Sequence, residues 1–151
     1  MIAVGFKIDQ AKSLFFDSQR ILRALDAAER KVLSRFGAFV RTRARSSIRK
    51  RKRSAPPGKP PSSHTGLLKK FIYFVFDPEE HSVIIGPARL NQAIGDAPAA
   101  LEHGGRSRVT SGGRRNKHVA RTVYVRPRPY MQPAFQKEME KLPKLWKDSI
   151  R

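Results

Sequence analysis

Asp77, Glu79 and Glu80 lie together in Asp77-Pro-Glu-Glu80. Paired carboxylates can hold Mg²⁺ and serve a metal-dependent nuclease. Here they flank a proline between two apolar runs, the composition of a solvated turn, so turn chemistry is the expected role. Glu102-His103, just before Gly104-Gly105, is a possible acid–base couple. Neighbours on a helix do not face each other, so Glu102 is expected instead to anchor a nearby loop by pairing with an arginine. The four histidines are His64, His81, His103 and His118, and no two share metal-ligand spacing. Solvated or hydrogen-bonded imidazoles are expected, with no metal site and no cofactor. There are no cysteines, hence no disulfide, thiol nucleophile or cysteine-bound zinc. Gly104-Gly105 and Gly112-Gly113 do not fit a phosphate-cradling loop, which needs Gly-x-x-x-x-Gly-Lys-Ser/Thr. The residues carry no catalytic constellation, and the expectation is a protein that is not an enzyme.

The cations speak more strongly than the acids. The chain has 32 Lys and Arg against 12 Asp and Glu, a formal net charge of +20. No acid occurs from Lys31 to Phe76. That span holds Arg41, Arg43, Arg45, Arg49, Lys50, Arg51, Lys52, Arg53 and Lys59. A second acid-free stretch carries Arg106, Arg108, Arg114, Arg115 and Lys117. So many like charges repel one another unless they remain in water or meet an anionic partner. These residues are the candidates for contact with a partner or with DNA. Base-stacking aromatics are missing from the basic run, so any DNA contact is to phosphates without sequence preference.

The elements that must position these groups read as one domain over residues 1–151. Ile2 to Ile8 has the β-formers of a short strand. Asp17 is placed to cap a long helix running to about Ile48. Its stripe is Ile21, Leu25, Ala28, Val32, Phe36, Val40 and Ala44, widened by Leu22, Leu33 and Phe39. Arg41, Arg45 and Arg49 form a basic ridge on its last turns. Prolines 56, 57, 60 and 61 make residues 50–66 a stiff basic loop without ladder pairing, ordered only against a partner. Phe71 to Phe76 and His81 to Ile85 read as a β-hairpin, and Ala97 to His103 as a short helix stopped by Gly104-Gly105. Residues 104–118 read as a mobile basic loop, and Val119 to Val125 as a strand. Arg126 to Tyr130 is an extended connector. The last helix starts near Gln132, with a stripe of Phe135, Met139, Leu142, Trp146 and Ile150, and Pro143 inside it implies a kink or two short helices rather than one rod. The expected class is α+β, a small antiparallel sheet packed by one long N-terminal helix and a C-terminal helix. No apolar run approaches the ~20 residues that span a bilayer, and the first residues do not read as a signal peptide, so no membrane partner is expected and the protein reads as soluble and cytoplasmic in synthesis.

Five segments in order resemble a known family. They are Arg41-Thr-Arg-Ala-Arg-Ser-Ser-Ile48, Ala55-Pro-Pro-Gly-Lys-Pro-Pro-Ser-Ser-His-Thr-Gly-Leu-Leu68, Val83-Ile-Ile-Gly-Pro87, Ala100-Leu-Glu-His-Gly104 and Arg128-Pro-Tyr-Met-Gln-Pro-Ala-Phe135. The set resembles the tail-completion, or head–tail joining, proteins of long-tailed bacteriophages over roughly residues 20–150. The motif residues are Gly66, Gly86, Pro87, Glu102, Gly104, Arg128, Pro129 and Pro133. The resemblance implies a structural protein of the virion neck, assembled in the bacterial host cytoplasm. It implies a ring of identical copies, a hexamer, between the head connector or stopper and the tail tube or terminator, with DNA passing through it. A nonspecific DNA-binding protein with a basic arm is the alternative, and a small nuclease the third reading.

Overall fold

The computed structural model describes residues 18–88, 97–112 and 118–149. The strand expected at Ile2–Ile8, the cap at Asp17 and the last stripe residue, Ile150, lie outside them. Helix α1 (Ser18–Ser47) is followed by β1 (Arg49–Lys50), β2 (Ser62–Ser63), the one-turn α2 (Leu67–Lys70), β3 (Ile72–Asp77) and β4 (Ser82–Pro87). Then come α3 (Ala97–His103), β5 (Gly105–Gly112), β6 (His118–Val125), α4 (Met131–Met139) and α5 (Leu142–Lys147). The class is α+β: a long N-terminal helix packs on small antiparallel sheets and a C-terminal helix.

Apolar residues at helical spacing create α1, but only part of the stripe is used. Val32, Phe36, Val40 and Ala44 are buried, whereas Ile21, Leu22 and Leu25 stay about half exposed. The β3–β4 hairpin reaches along α1 only as far as Asp26, which explains the change. At the other end, the Ser46 and Ser47 hydroxyls donate to the carbonyls of Arg43 and Ala44. These local bonds add side-chain donors to carbonyls near the helix end.

The expected single sheet is divided. β3 and β4 pair antiparallel with Val75 opposite Ile84, and β5 and β6 pair antiparallel with Arg108 opposite Thr122. β1 and β2 form a short parallel pair, Arg49 with Ser62 and Lys50 with Ser63. The expectation of an unpaired basic loop is therefore corrected at its ends. The prolines forbid pairing only where they stand, and Lys50, Ser62 and Ser63 flank them. The expectation of a mobile segment at residues 104–118 is also corrected, because Gly105–Gly112 is strand. Its polar, glycine-bearing composition conceals a ladder whose partner is the β-rich segment after it.

The core gathers Phe36, Val40, Ala44, Ile48, Ile72, Tyr130 and Ala134. The last helix does break: Pro143 lacks an amide proton, and its ring clashes with the carbonyl four residues back. The buried side of α4 is Ala134 and Glu138, not the expected Phe135 and Met139, which are 40% and 51% exposed. Small Ala134 lets α4 approach α1, and Glu138 then reaches Arg43.

Candidate functional site: a basic cleft and an acidic tip

The segments around the connector meet in space. Arg128 donates from its backbone to Leu101 O and from Nε to Ala55 O, 2.8 Å. Gly58 N–H donates to Pro127 O, 2.9 Å. Gly104, at φ +78°, lies so close to Pro127 that a Cβ would come within 3.0 Å of the ring. Gly66, at φ +82°, turns the chain into α2, and its amide donates to Ser63 Oγ. Pro87 closes β4 opposite Ile72. Gly86 has open space where a Cβ would stand, and nothing in the structure explains a glycine there. Pro129 is half-buried in the connector, and Pro133 stands in the first turn of α4.

Glu102 holds the end of this knot, though not as expected. Its carboxylate accepts from the backbone amides of Tyr130, Met131 and Gln132, at 2.9, 3.0 and 2.8 Å. The arginine partner expected for it is thus corrected: the donors are the open amides of α4, whose dipole also favours a negative charge there. No side-chain acceptor caps α4 from Tyr130 itself. Glu102→Ala should therefore cost about 1–3 kcal/mol and fray α4. Faster hydrogen exchange at residues 130–135 than in the rest of the chain is the expected readout, and unchanged exchange there would remove Glu102 from this role.

The cations divide into spent and unspent. Arg43 pairs with buried Glu138, which also accepts from Lys141 Nζ at 3.0 Å. Burial alone would push the Glu138 carboxyl up; the hydrogen bonds and charges of Arg43 and Lys141 outweigh it and hold the group below its usual range. Arg41 Nε donates to Ile72 O, 2.8 Å. Arg41 and Arg45 are half-buried, and Arg49 is exposed, so the expected ridge is broken by structural use of its first member. Arg49, Lys50, Arg51, Lys52, Arg53 and Lys59 are exposed and form no ion pair among the described residues. Arg106 and Arg108 are exposed on β5; Arg114, Arg115 and Lys117 lie outside the described residues.

A cleft of about 500 Å³ opens between the end of α1, the proline-rich loop and α4. Arg49, Arg51, Lys59 and Lys137 bring charge to it, and Pro60, Pro61, Pro133 and Tyr130 give it apolar walls. No carboxylate lines it. Ser62 also lines it, and its hydroxyl is buried with no hydrogen-bond partner. Lys137 was not singled out by the sequence, because it stands alone on α4 and joins the basic loop only in three dimensions.

The acids gather elsewhere. At the β3–β4 turn, Asp77 Oδ1 accepts from the amides of Glu79 and Glu80, which leaves both glutamate side chains exposed on an ordered turn. His81, at φ +47°, follows, and its Nδ1 lies 2.8 Å from Glu29 Oε2. Asp26, Glu29 and His81 place ligand-type atoms within 4.8 Å of one another, the one group among the described residues that could hold a cation. Sequence spacing missed it because His81 comes from a different element. The hydrogen bond to Glu29, then its charge, raises the His81 pKa above its ordinary value of about 6.5. A raised folded value means that the pair stabilises the tip fully below the ordinary value and is lost as pH rises through the raised one. NMR titration should show His81 above free imidazole, with amide protection at the tip falling over the same range; His81 titrating at or below free imidazole would refute the pairing.

No family model matches this chain, and no curated protein or solved structure matches it. Among the described residues, no helix is long and apolar enough to cross a membrane.

Proposed function

We propose that the protein is a neck or tail-completion subunit: a structural part that forms a ring and joins a phage tail to the head connector, without catalysis. The observation that carries this reading is the convergence of the motif segments. Residues 55–58, 101–104 and 127–133 are far apart in sequence, yet hydrogen bonds tie them into one knot beside a basic cleft. Motifs that build a scaffold and present a surface suit an assembly part better than an enzyme. Unfinished surfaces support the same reading. Tyr73, Val75 and Ile84 leave the outer face of the β3–β4 hairpin apolar and exposed, as surfaces awaiting a partner are.

The test uses the isolated full chain. A ring seen by native mass spectrometry and electron microscopy, with weak duplex binding, is the expected outcome. A monomer that binds duplex DNA with steep salt dependence would replace this reading with the DNA-binding one. Capsid, portal and tail-tube genes beside the coding sequence are expected as well.

A further inference from the structure

We infer that the basic cleft of one subunit receives the acidic hairpin tip of the next copy, and that this contact propagates the ring. The inference rests on the ring reading above and names the surfaces that make it. Three observations meet here. The cleft offers Arg49, Arg51, Lys59 and Lys137, which form no ion pair among the described residues, beside proline walls, and no carboxylate lines it. The tip offers exposed Glu79 and Glu80, with exposed Pro78 next to them, on a turn stiffened by Asp77. The two cannot meet within one chain. The tip is pinned beside Glu29, and the cleft is lined by Ser46 of the same helix. At roughly 1.5 Å per residue these positions are about 25 Å apart along the axis.

The result is a subunit with opposite charge at two sites, one beside the middle of α1 and one at its C-terminal end. Such a surface pair is heterologous: the tip of each copy fills the cleft of another, and a fixed rotation between copies closes a ring. The shape also selects the occupant. Carboxylates match the guanidinium forks, Pro78 matches the proline and tyrosine walls, and a narrow turn enters a concavity that a wide duplex face would bridge. The exposed Val75–Ile84 pair lies on the same hairpin, so apolar area adjoins the charged contact.

Charge reversal tests this directly. Glu79→Lys with Glu80→Lys reverses the tip, and Arg49→Glu with Arg51→Glu reverses the cleft. Each pair alone should raise the subunit dissociation constant roughly a hundredfold, because like charges then face each other. The two variants mixed in equal amounts should reassemble, as should one chain carrying all four changes. If a reversed-cleft chain misfolds by circular dichroism, Arg51→Ser with Lys59→Ser replaces it, and only the loss of assembly is scored. Loss without rescue in the mixture or the fourfold variant would overturn the tip as occupant. Assembly unaffected by either reversal would overturn the contact and leave the ring reading standing. A wild-type chain that stays monomeric at low salt would overturn both, and duplex binding abolished only by the cleft changes would assign the cleft to DNA.

Discussion

Under the neck-subunit proposal, replacing Arg49, Lys50, Arg51, Lys52 and Arg53 by Ser should yield folded protein that joins heads to tails at least about tenfold more slowly than the wild type. Folding should survive because these side chains are exposed and have no ion-pair partner among the described residues. The β1–β2 pairing uses main-chain groups that serine keeps. Surface changes of this kind usually stay within about 0.5 kcal/mol. Joining should suffer because long-range attraction to acidic surfaces of the connector or tail ring speeds and orients docking. Salt supplies the signature. The wild-type rate should fall as ionic strength rises, whereas the variant should be slow and nearly flat. Lys50, Lys52 and Arg53 do not line the cleft. Changing those three alone therefore separates docking to neighbouring rings from contact between copies. Normal joining with altered DNA retention or ejection would turn this segment toward the channel.

Phe36→Ala should be the most damaging single truncation. Phe36 is 3% exposed and meets the Phe135 ring edge-on at 5.7 Å between centroids. Removing a buried phenyl ring costs about 3–5 kcal/mol. For a chain of this length that is a fall in melting temperature of roughly 10 °C. Thermal unfolding followed by circular dichroism gives the value. A shift too small to resolve would place Phe36 outside the core and reassign the buried face of α1.

The helix stripe that buries Phe36 was legible because Val32, Phe36, Val40 and Ala44 recur at the helical period, and periodicity is a local property. The hairpin was legible for the same reason, with β-formers on either side of a turn sequence. Pro143 announced its break. What stayed hidden depends on distant partners. Glu102 caps amides 28 to 30 residues away. Asp26, Glu29 and His81 meet only because the hairpin folds back along α1. Residues 50–66 looked free because their composition cannot form a core, yet Ala55 is buried and its carbonyl is held by Arg128. Composition reports what a segment cannot bury, not what its neighbours can hold. The cleft was half legible: the basic run named Arg49, Arg51 and Lys59, while Lys137 and the unpaired Ser62 needed the fold.

Gly37 shapes how the subunit responds to mechanical load. A Cβ at this buried position would come within 2.9 Å of both Phe74 Cδ2 and Val83 Cγ2, so the hairpin is seated in a gap in the side of α1. One turn away in either direction the helix presents Leu33 or Arg41 instead of a bare backbone. Sliding the hairpin by one turn would drive Phe74 and Val83 into a full side chain. The joint is therefore keyed: a thrust along the helix axis meets a hard steric stop rather than sliding friction between smooth faces. In the neck subunit proposed above, that would give stiffness along the helix axis without any additional bond.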